Sequence, residues 1–263
     1  MTVQDQLGRQ VILKAVPQRI VSLVPSITEL LCDLGLESQL VGCTKFCIHP
    51  AHLRKRIKVV GGTKSVHLDR IEALQPDLII ANKEENSKEE VDQLIEAYPV
   101  WVSKVKTIED SFELIEHLGK ICDCRQEAER LSERLRKSLF VDDKKLSPKK
   151  VAYLIWKSPY MTVGGDTYIH NMLELHNFQN VFAERLRYPQ VSIEEIKKQE
   201  PDLVFLSSEP FPFKKDHLRE IQLLLPQSKV VMVDGEYFSW YGSRQLYLQN
   251  YIQELNDQIV GAN

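Results

Sequence analysis

The chain has 263 residues, with 34 basic and 37 acidic side chains and a formal net charge of −3. This balance argues against a general nucleic-acid-binding protein, which usually carries a clear basic excess. The apolar runs are much shorter than the roughly 18 residues that a membrane-spanning helix needs. We therefore expect a folded, soluble chain that neither binds nucleic acid nor inserts into a membrane.

Short β-branched runs alternate with helical patterns, which is typical of βαβ units and parallel sheets. A capping box from Ser26 to Glu29 predicts a helix that continues through Leu36. The fold class is therefore α/β. The predicted strands are 19–24, 77–81, 100–103, 151–156, 202–206 and 229–233.

An internal repeat divides the chain. Residues 69–71 and 76–78 recur as 194–196 and 201–203, at a constant offset of 125 residues. Each copy consists of an acidic helix start, an amphipathic helix, a proline that ends it and an apolar strand. Two related α/β lobes would produce this pattern, whereas a single continuous sheet gives less reason to expect such a repeat.

A helix is predicted between the two lobes. Ala128, Leu131, Leu135 and Leu139 fall on one face at helical spacing. A helix of about 17–20 residues would be roughly 25–30 Å long and stiff. Lobes joined in this way leave a cleft, where small ligands commonly bind. We predict two Rossmann-like lobes with parallel sheets, divided as 1–122 (N-terminal lobe), 123–146 (connecting helix) and 147–263 (C-terminal lobe).

Aromatic residues are concentrated in the second half, where 16 of the 21 occur, several of them just after a predicted strand. Ligands of α/β sheets bind outside the carboxyl ends of the strands, and aromatic rings there suit a large, partly planar ligand. Alternatively, about half of these rings pack locally and stiffen loops. The first half contributes cationic, aromatic and acidic side chains past its own strands. The predicted ligand contacts are Lys45, Phe46, Glu84, Glu85, Trp156, Tyr160, Glu209, Phe211, Trp240, Tyr241 and Arg244.

Sequence signatures of catalysis are mostly missing, since the chain has no G-x-S-x-G, H-E-x-x-H or Walker motif. His49 and His52 could bind a metal from one helix face, but their basic neighbours favour an exposed helix start. Residues 164–166 (Gly-Gly-Asp) precede a helix and predict a tight turn with Asp166 as the N-cap. We predict no catalytic residue, no required cofactor and no resident metal.

The five cysteines are an odd number and lack the pattern of a disulfide framework. The pairs Cys43/Cys47 and Cys122/Cys124 could bind a metal or sense redox state. Buried, reduced thiols are favoured, because zinc sites usually show paired C-x2–4-C spacings. The first residues contain no apolar signal segment, so the chain as written is predicted to be cytoplasmic.

Seven short motifs follow one another along nearly the whole chain: RIVSLVPS (19–26), TEL (28–30), GGTK (61–64), LDRI (68–71), PDLII (76–80), YPQVS (188–192) and PDL (201–203). In this order they resemble the class III periplasmic binding proteins of ABC importers, most closely the vitamin B12-binding members. The resemblance implies two α/β lobes, a rigid connecting helix and a ligand held in the cleft. It also implies a metal-chelate ligand, with a corrinoid first and an iron siderophore or haem next, and a periplasmic or cell-surface location.

The resemblance further implies a partner, because in this family one acidic residue at a helix start of each lobe docks onto the membrane permease. Asp69 and Glu194 match those positions. With Ser192 as N-cap and Glu195 closing a capping box, Glu194 would point outward at the positive end of its helix. Acidic residues are also common in first helical turns without any partner. We expect a monomer that binds a small molecule and an ABC transporter permease.

Two other functional classes stay open at this level. A cytosolic enzyme or cofactor-handling protein could reuse the same two-lobed fold, because function lies in the site and not in the fold. A protein-interaction module would instead show a broad exposed apolar patch.

Overall fold

The computed structural model describes residues 1–139 and 147–261, so positions 140–146 of the predicted connecting helix lie outside the described residues. The chain divides into two compact units. Unit 1 comprises Met1–Val105, Glu109–Lys137 and Tyr241–Arg244, and unit 2 comprises Lys106–Ile108, Ser138–Trp240 and Gln245–Asn263. None of the helices in the described ranges combines the length and the apolar character that crossing a bilayer requires.

Unit 1 is built on a parallel sheet flanked by helices. Its elements are the strands β1 (Thr2–Gln4), β2 (Gln10–Ile12), β3 (Ile20–Ser22), β4 (Leu40–Cys43), β5 (Lys58–Val59), β6 (Leu78–Asn82) and β7 (Val100–Ser103) and the helices α1 (Pro25–Asp33), α2 (Leu68–Leu74), α3 (Lys88–Ala97), α4 (Ile108–Ile121) and α5 (Arg125–Leu139). The sheet has the order β5-β4-β3-β6-β7, and β1 and β2 form a separate antiparallel pair. Every residue of the central strands β3 and β6 is buried, as expected for a parallel sheet covered on both faces.

Unit 2 repeats this architecture. Its elements are the strands β8 (Lys149–Trp156), β9 (Met161–Thr162), β10 (Phe178–Asn180), β11 (Leu203–Ser207) and β12 (Lys229–Val233) and the helices α6 (Tyr168–Leu175), α7 (Ile193–Gln199), α8 (Lys215–Leu224), α9 (Glu236–Ser239) and α10 (Leu248–Gly261). The parallel order is β10-β8-β11-β12, with β9 antiparallel to β8. The predicted α/β fold is confirmed, and each of the six predicted strands ends within two residues of its predicted bounds.

The sequence repeat is also a structural repeat. Helices α2 and α7 have seven residues each, and they and the strands β6 and β11 keep the offset of 125 residues. Each helix ends on a residue in the left-handed region, Gln75 with φ of 44° and Glu200 with φ of 48°. A left-handed residue at a helix end turns the chain away from the helix axis. Here it directs the chain into the following Pro-Asp-Leu strand entry in both units.

The repeated aspartates explain why that motif recurs. Asp77 accepts the backbone N–H groups of Gln18 and Arg19, each at 2.8 Å, just before β3. Asp202 accepts the N–H of Lys150 at 2.8 Å near the start of β8. In each unit the aspartate therefore ties the entry of one central strand to that of its neighbour.

The predicted apolar face of α5 is confirmed. Ala128, Leu131, Leu135 and Leu139 are all buried, with exposed fractions of 5% or less. The face packs closely on α4, since a Cβ at Gly119 would lie 2.6 Å from the Cβ of Ala128. A glycine is required at that contact.

The predicted capping box at the start of α1 is wrong. The helix begins with Pro25 at its first turn, and its N-cap residue makes no side-chain bond. Proline has no N–H that needs an acceptor, so it can start a helix without a cap. Ser26 and Glu29 are both buried. The helix ends at Asp33 and not at Leu36, because the glycine after its C-cap residue has φ of 79°.

The predicted N-cap of α6 is also wrong. Thr167 caps this helix, and its Oγ1 accepts the N–H of His170 at 3.2 Å. Asp166 instead accepts the N–H of Arg187 at 2.6 Å and pairs with the Lys106 Nζ at 3.0 Å. The acid therefore fixes neighbouring chain segments of unit 2.

Gly165 provides a test of this packing, because a Cβ there would lie 2.2 Å from the carbonyl oxygen of Ala183. We expect Gly165→Ala to lower the free energy of unfolding by about 1–3 kcal/mol, as other overpacking substitutions do. Gly261→Ala is the control, since no atom lies within 4 Å of its added Cβ. Urea unfolding measures the free energy of unfolding of both variants. Equal unfolding midpoints for the two variants would contradict the close approach.

Candidate functional site

The loops after β8, β11 and β12 form one edge of the unit 2 sheet. These strands are neighbours and run parallel, so their carboxyl ends meet at the same edge. Trp156 ends β8, Glu209 and Phe211 follow β11, and Trp240 follows β12 and α9. The structure thus brings four predicted ligand contacts together at one edge of unit 2, which we call the aromatic edge.

Aromatic rings at this edge pack on one another. Trp156 and Phe211 meet edge to face with ring centroids 5.6 Å apart, and Phe211 lies 4.9 Å from Phe213. The ring of His217 lies 5.4 Å from Phe211. Although packed, the Trp156 side chain keeps 40% of its surface exposed. An indole held by neighbours and open to solvent is suited to stacking on a flat ligand.

Glu209 is the acidic centre of the aromatic edge. Its Oε1 accepts the Ser239 hydroxyl at 2.5 Å and the Trp240 indole N–H at 3.0 Å. Burial raises the pKa of Glu209 above its ordinary value, and these hydrogen bonds only partly offset that effect. Trp240 is buried, with 6% of its surface exposed. Its ligand contact stays a prediction, whereas its bond to Glu209 is present in the structure.

Tyr160 lies beyond Trp156 and is half-buried. It packs against the core of unit 2. Burial raises the pKa of Tyr160, and the nearby Glu220 raises it further. Glu220 forms an ion pair with Lys157. Tyr160 is therefore placed in a charged, partly buried setting, and its contact with a ligand stays a prediction.

In unit 1 the loop after β4 carries an exposed cation–aromatic pair. The Lys45 Nζ lies 5.0 Å from the ring centroid of Phe46. The Phe46 side chain is 49% exposed, and Lys45 is exposed as well. The backbone N–H of Lys45 donates to the carbonyl of Gly61 at 2.8 Å. The loop is thus anchored by its backbone and presents two side chains to solvent.

The turn after β6 holds Glu84 and Glu85. Their N–H groups donate to the side-chain oxygen of Asn82 at 2.7 Å and 3.1 Å. The Lys64 ammonium donates to the carbonyls of Glu84 at 2.6 Å and Asn86 at 3.4 Å. Sequence reasoning missed that Lys64 supports this turn. The Gly-Gly-Thr-Lys stretch in which Lys64 lies is only a weak signal of that role.

Tyr241 and Arg244 belong to unit 1 and are buried, with 4% and 8% of their surfaces exposed. The Tyr241 hydroxyl donates to the Glu85 carboxylate at 3.2 Å. The Arg244 Nε donates to Glu29 at 3.0 Å, and a second nitrogen of the guanidinium lies 2.8 Å from the same carboxylate. A buried ion pair of this kind fixes the segment 241–244 within unit 1. Contact of these two side chains with a ligand stays a prediction.

Glu29 is the partner that sequence reasoning missed, because it was assigned to a capping box. The one available signal was a charge within the otherwise uncharged first two turns of α1. A charge on a buried helix face requires a buried partner. That partner lies 215 residues away, and local patterns do not reveal it.

Histidine and cysteine positions do not form a metal centre in the described parts of the chain, where no three His, Cys, Asp or Glu side chains converge. The Nε2 of His52 lies 3.0 Å from a Glu37 carboxylate oxygen. The predicted pair His49/His52 is therefore partly explained by a surface contact between a histidine and an acid.

Asp69 and Glu194 lie in the first turns of α2 and α7, and both are exposed. The predicted capping box of α7 is confirmed. The Glu195 N–H donates to the Ser192 Oγ at 3.1 Å, and the Ser192 N–H donates to the Glu195 carboxylate at 2.8 Å. Hydrogen bonding to Arg185 lowers the pKa of Glu195 to about 2. Glu195 therefore holds the helix start, and the neighbouring Glu194 faces solvent.

Comparisons with known proteins place this fold in a family. Residues 20–223 match the family described as periplasmic binding protein. The vitamin B12-binding protein of Vibrio parahaemolyticus is 30% identical over 195 residues, which cover 72% of this chain and 70% of that protein. The ABC transporter substrate-binding lipoprotein YvrC of Bacillus subtilis is 28% identical over 226 residues, covering 78% and 68%. A periplasmic haem-binding protein from Pseudomonas aeruginosa has a similar fold, with a TM-score of 0.78 at 22% identity over 94% of each chain.

Two α/β units with parallel sheets are the architecture of this chain. The chain belongs to the periplasmic binding protein family, whose members are substrate-binding transport proteins, and the predicted resemblance is confirmed. The predicted cytoplasmic location is wrong, because the matching family is periplasmic and one relative is a lipoprotein.

Glu209 gives a pH-dependent prediction. Its pKa in the folded protein is raised above the ordinary value of 4.5, so folding favours the protonated form. Stability of the wild type should therefore decrease as pH rises through the interval between these two values. Glu209→Gln keeps an oxygen that can accept from Ser239 and Trp240 but does not titrate. We expect its melting temperature, relative to wild type, to increase as pH is raised from about 4 to about 8.

Glu209→Ala is the matched variant, because it removes the acceptor as well as the charge. Relative to Glu209→Gln, which does not titrate either, it should lose about 1–3 kcal/mol at every pH, since two partly buried donors are left without this partner. Thermal unfolding, followed by circular dichroism, gives the melting temperatures of wild type and both variants at each pH. Melting temperatures of wild type and the Gln variant that change in parallel with pH would contradict the raised pKa.

Proposed function

We propose that this protein is the substrate-binding component of an ABC importer and captures a metal-chelate ligand. A corrinoid is the first candidate, and an iron siderophore or haem is the next. A relative at 30% identity is a vitamin B12-binding protein, which supports the corrinoid. The proposed role is binding alone, by a monomer, with no chemical step and no resident cofactor.

The observation that carries the proposal is the exposed indole of Trp156 at the aromatic edge. Of the three tryptophans in the chain, Trp101 is fully buried and Trp240 is 6% exposed, whereas Trp156 is 40% exposed. Its neighbour Phe211 holds the ring in place from one side. Exposed aromatic surface supported in this way is costly in water and is compensated when a flat, apolar ligand face covers it.

The charges of the proposed contacts favour a corrinoid over haem. Glu84, Glu85 and Glu209 are carboxylates, whereas Lys45 is the one cation among the proposed contacts besides the buried Arg244. Carboxylates accept hydrogen bonds from the amide groups at the rim of a corrinoid. They repel the carboxylates of haem, which need cationic partners. The excess of acids therefore suits a ligand rich in amide donors.

Trp156 allows a direct test. We expect cobalamin or cobinamide to quench the intrinsic tryptophan fluorescence of the purified protein saturably, and haem or ferric siderophores to quench it less. Trp156→Phe should remove most of the quenching and weaken binding, measured by calorimetry, by about 1–2 kcal/mol, because a smaller ring remains on Phe211.

The control is Leu223→Ala, which also removes exposed apolar surface. Leu223 is 83% exposed near the end of α8. This helix connects two parallel strands, so its carboxyl end lies at the opposite edge of the sheet. The control should bind like wild type. A wild-type protein that binds none of the four ligand types would overturn the metal-chelate proposal.

We also propose that Asp69 and Glu194 dock onto the membrane permease. Both are exposed in first helical turns, where their charges point into solvent. In the proposed interface each acid pairs with a cationic side chain of the permease. Asp69→Lys and Glu194→Lys should each reduce stimulation of the permease ATPase in liposomes about tenfold or more, since two positive charges would then meet across the interface. Ligand quenching in solution should stay unchanged.

Glu72→Lys is the matched control, because Glu72 is also exposed on α2, about one turn after Asp69. It should stimulate the permease like wild type. Full stimulation by Asp69→Lys and Glu194→Lys, or an equal loss with the control, would argue against docking through these two acids.

A further inference from the structure

Glu209 is held by contacts along its whole length. The Ser207 hydroxyl donates to the carbonyl of Glu209 at 2.7 Å, and the Glu209 N–H donates to the same hydroxyl at 3.4 Å. Gly235 leaves room for the side chain, since a Cβ at this glycine would lie 2.7 Å from the Glu209 Cγ. The backbone and the stem of Glu209 are therefore both fixed just past the end of β11.

Both hydrogen bonds to the Glu209 carboxylate reach the same oxygen. The Ser239 hydroxyl and the Trp240 indole N–H donate to Oε1, at 2.5 Å and 3.0 Å. Within the described residues no donor reaches the other oxygen, Oε2, which keeps contact with solvent. Each oxygen of a carboxylate accepts about two hydrogen bonds. The capacity of Oε1 is therefore used inside the protein, and that of Oε2 is left for a partner from outside.

Trp240 decides which way a polar group at this position faces. An indole N–H can only donate a hydrogen bond, whereas the Ser239 hydroxyl can donate or accept one. The atom at the Oε1 position must therefore be an acceptor. An amide introduced by Glu209→Gln would keep its oxygen at that position and turn its NH2 group outward. The indole thus fixes the hydrogen-bonding polarity of the outward position.

We propose that the outward oxygen of Glu209, Oε2, accepts a hydrogen bond from an amide N–H at the rim of the ligand and so selects amide-bearing corrinoids. This role rests on the proposed function of binding a corrinoid. A corrinoid with esters or carboxylates in place of amides would bring a second acceptor against Oε2, and neither acceptor would then have a donor. Trp240 is the positioning residue of this contact, since it acts through Oε1.

The charges around Glu209 favour a neutral donor on the ligand. Asp234 lies beside the same loop, because its Oδ1 accepts the Ser208 hydroxyl at 3.3 Å, and it also accepts the N–H of Glu236 at 3.1 Å. Repulsion from Glu236 and Asp234 adds to the effect of burial in raising the pKa of Glu209. These three neighbouring carboxyl groups repel an anionic ligand rim. An amide N–H supplies the missing proton without adding negative charge.

Two corrinoids that differ at the rim test the contact. One is cobinamide, and the other is the corrinoid in which every side-chain amide is replaced by a methyl ester. Calorimetric titrations are run at about pH 8, above the ordinary carboxyl pKa of 4.5. We expect wild type to bind cobinamide about tenfold or more tightly than the ester, because the ester has no N–H to donate to Oε2. Glu209→Gln should abolish or reverse this preference, because its NH2 group faces outward.

A second substitution should rescue the preference if orientation is its cause. In Glu209→Gln/Trp240→Phe no indole N–H holds the amide oxygen inward, so the amide can turn and offer its oxygen to the ligand. We expect this double variant to regain part of the preference for cobinamide over the ester. Glu254→Gln is the control, since it makes the same change at an exposed position of α10. It should keep the wild-type ratio of affinities.

The outcomes separate this contact from the proposed function. Equal affinity of wild type for the two corrinoids, a wild-type ratio in Glu209→Gln, or no rescue by Trp240→Phe would overturn the contact and leave corrinoid binding in place. A wild-type protein that binds neither corrinoid would overturn both. Hydrogen exchange of the Trp240 indole N–H, followed by NMR, tests the orientation without ligand. Its protection should persist in Glu209→Gln and fall about tenfold or more in Glu209→Ala, and equal loss in both variants would contradict the fixed orientation.

Discussion

Parallel strands joined by helices must all end at the same edge of their sheet, and the candidate site depends on that constraint. In unit 2 the constraint collects Trp156, Glu209 and Phe211 from two neighbouring strands. In unit 1 it places the loop of Lys45 and the turn of Glu84 after strands of a single sheet. Side chains far apart in sequence thereby become candidates for one ligand surface within each unit.

The same topology places the acidic helix starts. A helix that precedes a parallel strand runs antiparallel to it, so its first turn lies at the carboxyl edge of the sheet. Asp69 and Glu194 open such helices before β6 and β11. Each docking candidate therefore lies at the same sheet edge as the ligand candidates of its own unit. A binding protein that reports its occupancy to a permease benefits from that proximity.

Buried polar groups then decide which edge residues are available. Arg244 is occupied by Glu29, and Trp240 donates to Glu209, so both are held inside their units. Phe46 has no polar side-chain group that needs a buried partner. Both Phe46 and Trp156 keep large exposed areas. The cost of burying a charge or an N–H without a partner explains this division. This cost separates the residues that build the edge from the residues that a ligand can reach.

Local patterns in the sequence by themselves determined six of the twelve strands found in the described residues, the repeat of 125 residues and the capping box at Ser192, because each depends on neighbours within a few positions. The family motifs likewise identified the class of protein. Tertiary structure alone decided that Glu29 pairs with Arg244, that Trp240 is buried while Trp156 is exposed, and that Cys47 lies against Thr28. Those outcomes depend on contacts between residues distant in the chain, and the free energy of burial there outweighs local preference.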